Sequence, residues 1–216
     1  MIVSPLLQEV SGIRHGFGTQ GDERPGNAVT VQQVHGTEIL EATCVLSQEP
    51  QGYDIVIADR PGIAVAVKTA DCLPILMVEP KLRLVAAVHA GWKGTLQRAS
   101  QAAVRKIVES GGSAANLVVC LGPNMIGRCF EVGADVRMDF EREFPAWPVV
   151  TPNPKNGEKW LLDVAETNFR QLLEVGIPRN QIDRIDLCTH CCEDLFWSYR
   201  RDGGKAGRML NFIEIL

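Results

Sequence analysis

Two segments of this chain place a reactive side chain directly after an apolar run. Ile63-Ala-Val-Ala-Val67 leads into Thr69-Ala-Asp-Cys-Leu-Pro74, and Leu82-Arg-Leu-Val-Ala-Ala-Val88 leads into His89-Ala-Gly-Trp92. Runs this rich in Val and Ala read as strands buried on both faces. Cys72 and His89 therefore stand near the ends of core strands, where open sheets gather reactive groups. His35 closes a third such run, Val29-Thr-Val-Gln-Gln-Val34.

One thiol and two imidazoles from three rigid elements match the protein ligands of a catalytic zinc, whose fourth position holds water or substrate. The same residues serve a second chemistry. Cys72 can act as an attacking thiolate with His89 as its base, and Asp71 can orient the pair or carry a proton. The separations fit no local motif, so convergence has to come from the fold. His35 favours the metal, because a thiol hydrolase needs no second imidazole while a zinc site without it lacks a ligand.

Two further segments suit anions. Trp197 to Arg208 concentrates Arg200, Arg201 and Arg208 among glycines, and guanidinium forks match phosphate or carboxylate, although a solvated turn has the same composition. Gly91-Trp-Lys93-Gly94 opens the first clear helix, where free backbone N–H groups attract negative charge. Cys188-Thr-His-Cys-Cys192 contains CxxC spacing, but the sequence offers no second pair to close a zinc site. That segment is expected to be structural or incidental, as are His15 and His190.

The chain has 216 residues, 45% hydrophobic and 22% charged, which suits one globular domain over 1–216. A net charge of −4 speaks against the broad basic face of a nucleic-acid binder. No stretch approaches the roughly 20 apolar residues of a membrane helix. Met1 to Glu9 lacks the pattern of a signal peptide, so seven reduced cysteines in a cytoplasmic protein are expected. Four histidines are too few for the combined copper centres of a multicopper oxidase.

Positioning these side chains requires strands near 28–35, 37–43, 54–58, 63–68, 82–88, 117–121, 182–188 and 208–216. Helices are expected over 95–110, over 134–143, and from a cap at Asp163 to Val175. A Gly-rich loop covers 16–27. Strands outnumber helices and come in groups, which predicts an α+β protein with mixed sheets.

The motifs then fall into one order: Gln33-Val-His-Gly36, Thr69-Ala-Asp-Cys-Leu-Pro74, Ala87-Val-His-Ala-Gly-Trp92, Leu121-Gly-Pro123, Phe130-Glu-Val-Gly133, Cys188-Thr189, and Ser198-Tyr-Arg-Arg-Asp-Gly203 with Gly207-Arg208. Together they closely resemble the laccase-domain family, also called the polyphenol oxidase or peptidoglycan-editing-factor family. The resemblance implies a layered α/β/β/α fold similar to the cytotoxic-necrotizing-factor catalytic domain, and zinc held by His35, Cys72 and His89. It also implies purine nucleoside chemistry: phosphorolysis of adenosine, inosine and methylthioadenosine, and deamination of adenosine. Asp71, Cys72 and His89 are then the catalytic candidates. Lys93, Arg200, Arg201 and Arg208 are the candidates for holding phosphate.

Lys93 replaces the family's usual Arg, and the short loop Thr19 to Asn27 stands where the family has a longer segment. Two other outcomes remain compatible with these residues: a cysteine amidase editing cell-wall precursors through Cys72, and a zinc-binding module without catalysis.

Overall fold

The computed structural model describes residues 1–216. Strands β1 (Ile13–Phe17), β2 (Ala28–Val29), β3 (Ile39–Glu41), β4 (Ile55–Ala58), β5 (Ala64–Thr69), β6 (Leu73–Glu79) and β7 (Leu84–Ala90) precede β8 (Val118–Leu121) and β9 (Glu131–Val132). Then come β10 (Val150–Pro152), β11 (Trp160–Leu162), β12 (Ile182–Arg184) and β13 (Met209–Ile215). The helices are α1 (Pro5–Gln8), α2 (Trp92–Leu96), α3 (Ala99–Glu109), α4 (Ala134–Glu143), α5 (Val164–Glu174) and α6 (Tyr199–Asp202).

Three sheets result. A six-stranded sheet runs β12-β8-β6-β7-β4-β3, a four-stranded sheet runs β1-β13-β5-β2, and β10-β11-β9 form a small third one. Parallel pairs (β12 with β8, β3 with β4, β2 with β5) sit beside antiparallel ones, so the two large sheets are mixed. The protein is α+β.

Alternation along the central strands explains the layering. On β6 and β7, Ile75, Met77, Leu84, Ala86 and Val88 face a core shared with Ala103 and Ile107 of α3 and Phe169 and Leu172 of α5. Leu76, Val78, Val85 and Ala87 face the other way, into a core shared with Val65 and Val67 of β5 and Ile213 of β13. Both faces of β6 and β7 are therefore buried, which is why their sequences are continuous apolar runs.

The three helices of ten or more residues all contribute to the first core. The outer face of the four-stranded sheet instead carries Ala64, Ala66 and Phe212, with Arg14 over the Phe212 ring.

Several expected elements differ, each for a local reason. The strand expected over 28–35 stops at Val29, because the chain then turns to a left-handed backbone at His35. Residues 73–79, not among the expected strands, form a fully buried central strand. The helix expected over 95–110 is two helices, α2 and α3, broken by the left-handed backbone of Arg98. The strand expected over 182–188 ends at Arg184, since its partner β8 ends at Leu121 ahead of Gly122-Pro123.

Candidate active site

Cys72 sits in the tight turn between β5 and β6, immediately after Asp71, whose φ is +96°. His89 lies inside β7, opposite Pro74 of β6. His35 lies on the loop between β2 and β3. The three come together: Cys72 Sγ is 3.9 Å from His35 Nε2, and the two imidazole rings meet edge to face at 4.8 Å. All three ligand atoms fall within 4.8 Å of one another.

One carboxylate organises both imidazoles. Asp54, at the entrance to β4 and 0% exposed, accepts the Nδ1–H of His89 at 2.7 Å. It also accepts the backbone N–H groups of Val34 (3.1 Å), His35 (3.0 Å) and Gly36 (2.7 Å). Those three bonds hold the loop in the conformation that gives His35 its φ of +65°. Engaging Nδ1 leaves Nε2 of His89 for the site. Asp54 escaped the sequence reading. Its one signal is a carboxylate placed directly before the buried run Ile55-Val-Ile-Ala58.

The electrostatics follow from this packing. Burial opposes ionisation of Asp54, but the His89 bond and the N–H groups of Gly36 and Val34 outweigh it and lower its pKa. Burial likewise opposes charge on Cys72, yet the His89 charge and the bonds from both imidazoles draw the thiol down to about 6. Burial works against the imidazolium of His89, while the Cys72 thiolate and Asp54 raise it to about 9. The site thus favours a thiolate.

A sulfur and two imidazole nitrogens are the donor set of zinc. The 3.9 Å between Cys72 Sγ and His35 Nε2 lies close to the roughly 3.5 Å that bond lengths and a tetrahedral angle require. Gly91 leaves the room: a Cβ there would lie 2.8 Å from His35 Cδ2 and 3.1 Å from Cys72 Sγ. The residues present fit a three-ligand zinc with one position free.

These side chains line a cavity of about 670 Å³. Arg200 and Arg208 are on its wall, together with Lys68, Trp92, Phe130 and Tyr199. The Arg200 guanidinium lies over the Phe130 ring and that of Arg208 over Tyr199. Lys68 pairs with Glu49 at 2.6 Å, and its backbone exchanges two bonds with the Gln33 side chain. Gln33 and Phe130 stand in two of the motifs that carry the family resemblance, without a role of their own there, and Lys68 had no signal beyond residue type.

Two of the four cations expected to hold phosphate are not brought to the cavity. Arg201 turns inward to donate to the carbonyls of Thr189, His190 and Phe196 and to the Asp202 carboxylate. Lys93 is exposed and rests over the Trp92 ring, away from the lining residues. Asp71 does line the cavity, but Oδ1 accepts from the Thr189 hydroxyl and Oδ2 from the Arg200 backbone N–H, both at 2.7 Å. Its carboxylate is tied into the wall. The fourth histidine, His15, is buried and accepts the Ser4 N–H at 2.9 Å.

The sequence model of the family described as multi-copper polyphenol oxidoreductase laccase matches residues 8–216. The chain is 35% identical over 182 residues to a purine nucleoside phosphorylase of Bacteroides thetaiotaomicron, an alignment taking in 83% of this chain and 67% of that protein. It is 34% identical over 164 residues to adenosine deaminase RL5 from an unknown prokaryotic organism, over 76% of this chain but only 62% of that protein's length. Among solved structures it is similar to YlmD from Geobacillus stearothermophilus, with a TM-score of 0.86 and 27% identity over 98% of this chain and 94% of the other. A match running from residue 8 to the last residue, with the fold in agreement, makes this chain a member of the multi-copper polyphenol oxidoreductase laccase family.

Proposed function

We propose that this chain is a zinc-dependent purine nucleoside enzyme, acting by phosphorolysis on adenosine, inosine and methylthioadenosine and by deamination on adenosine. The observation that carries the reading is the His35–Cys72–His89 cluster in a cavity walled by Arg200, Arg208, Phe130 and Trp92. That wall pairs cations for phosphate with flat faces for a base. The names of the relatives, purine nucleoside phosphorylase and adenosine deaminase, support it.

Zinc held by His35, Cys72 and His89 would supply a Lewis acid and lower the pKa of a water towards neutrality. The chain's own side chains supply the rest. Asp54 fixes the ring of His89 and the loop of His35, so both present nitrogen to the cavity without reorganisation. Arg200 and Arg208 bind the phosphate whose oxygen forms the bond to the anomeric carbon as the bond to the purine nitrogen breaks. Trp92, Phe130 and Tyr199 hold the base. Asp71 positions Arg200 through the backbone of α6 rather than carrying a proton.

The family description refers to several coppers. Here His15 is committed to Ser4 and His190 lies beside Cys129 and Cys191, leaving two imidazoles in the cavity. That count favours one metal there. The seven unpaired cysteines support a cytoplasmic setting.

A second reading has its own observation. Thiol, imidazole and carboxylate stand in the order Cys72, His89, Asp54, the arrangement of a cysteine hydrolase. Under it the chain is an amidase editing cell-wall precursors. Incubation with adenosine, with and without phosphate, separates the two. Adenine with ribose 1-phosphate, or inosine, supports the nucleoside enzyme when zinc is bound and activity disappears on chelation. Full activity on a cell-wall precursor in metal-free protein, lost in Cys72→Ala, supports the amidase. A zinc-loaded protein acting on neither is a binding module.

A further inference from the structure

A second cluster of soft ligands lies outside the cavity. The thiols of Cys129 and Cys191 are 3.3 Å apart, and with a ring nitrogen of His190 their ligand atoms all fall within 4.8 Å of one another. Cys188, 3% exposed, falls outside that 4.8 Å group but lies three residues before Cys191 in the same turn, the spacing of a zinc-binding pair. None of the four lines the cavity.

Two remote pieces of chain build this cluster. Cys129 ends the one-turn 3-10 segment Gly127–Cys129 ahead of β9. The other three lie in the turn after β12, closed by the Cys192 N–H donating to the Cys188 carbonyl at 2.9 Å. The CxxC pair looked short of partners in the sequence because Cys129 lies far away along the chain. The fold supplies it.

We propose that Cys129, Cys188, His190 and Cys191 hold a second, structural zinc ion. Three thiolates and one imidazole form a closed tetrahedral set, which leaves no place for substrate. Two thiolates around one zinc stand about 3.7 Å apart, near the separation of Cys129 and Cys191. Each ligating thiol releases its proton to solvent, and nothing is oxidised or reduced.

The centre joins two stretches that build the cavity wall. One carries Met125 and Phe130. The other carries Thr189, which bonds Asp71, and leads to Arg200. A bridge between Asn124 and Cys188 already links them, and Arg201 braces the turn through the carbonyls of Thr189 and His190. Zinc at this point fixes the wall without taking part in the reaction.

Metal analysis of the full chain tests the proposal independently of the catalytic reading. Wild-type protein should contain two zinc ions per chain, and Cys72→Ser should retain one. Loading Cys72→Ser with cobalt(II) alone should give strong thiolate-to-metal absorption in the near ultraviolet. That absorption should vanish in Cys72→Ser/Cys129→Ser/Cys191→Ser and should change in Cys72→Ser/His190→Ala. In zinc-loaded Cys72→Ser, Cys129, Cys188 and Cys191 should resist alkylation until a chelator is added. Cys72→Ser that takes up no cobalt, or whose Cys129 and Cys191 alkylate freely or form a disulfide under zinc, overturns the second centre. Retention of one zinc by Cys129→Ser/Cys191→Ser with its loss on adding Cys72→Ser speaks for the first site alone, so the two assignments fail separately.

Discussion

Asp54 Oδ1 lies 2.7 Å from His89 Nδ1, and the same fully buried carboxylate caps the loop that carries His35. A single side chain thus sets two imidazoles on different elements. Asp54→Asn keeps the size but loses the charge and one acceptor oxygen. Zinc affinity at the cavity site should fall about 10- to 100-fold. Titration against a chelator of known affinity checks this, and an unchanged constant would remove Asp54 from the site.

Gly91→Ala places a methyl group against His35 and Cys72. We expect the protein to fold while losing zinc from the cavity, because a Cβ at 2.8 Å from His35 Cδ2 forces the ring aside. Gly157→Ala, where nothing lies within 4 Å, is the control and should leave metal content unchanged.

Arg200→Ala and Arg208→Ala should each raise the KM for phosphate about 10- to 100-fold, the equivalent of one charge-assisted hydrogen bond. Deamination, which uses no phosphate, should change far less. Lys93→Ala should alter neither, since Lys93 is outside the cavity lining. Steady-state kinetics with phosphate varied decides it. An effect of Lys93→Ala as large as that of Arg208→Ala would overturn the placement of the anion.

Arg201→Ala should act on stability. Its guanidinium holds three carbonyls and a carboxylate within one turn of chain. Loss of about 1–3 kcal/mol is expected, read as a fall in Tm of roughly 2–4 °C per kcal/mol for a chain of this size. Calorimetry on the zinc-loaded protein measures it.

His15 gives a pH dependence. Burial lowers its pKa, against the weaker opposing effect of Asp183. The unfolded chain therefore binds the proton more readily. Stability linked to His15 is fully present above its unfolded pKa of about 6.5 and declines as pH falls below it. Tm between about pH 7.5 and 5.5 should fall more steeply in the wild type than in His15→Gln. Parallel profiles would contradict this.

The positions of Cys72 and His89 were legible in the sequence because β5 and β7 are buried on both faces, and their apolar runs lead straight to these two residues. Strand β6 was not, because Pro74 at its second position reads as a break. The fold accommodates Pro74 opposite His89, within a strand paired on both sides. Asp54 left almost no trace, since its partners are backbone N–H groups and a ring reached only through tertiary packing. The roles of the arginines were illegible for a related reason. Arg200 and Arg201 are adjacent, yet one faces the cavity and the other is consumed by carbonyls, a difference set by the turn of α6.

The three clustered side chains differ in exposure: His89 is buried in a central strand, Cys72 is half-buried, and His35 is exposed on its loop. Solvent therefore reaches the cluster on the His35 side, and His89 is its inner member. For zinc bound as proposed, release is expected to require breaking the bonds that tie the His35 loop to Asp54, with the sheets left in place.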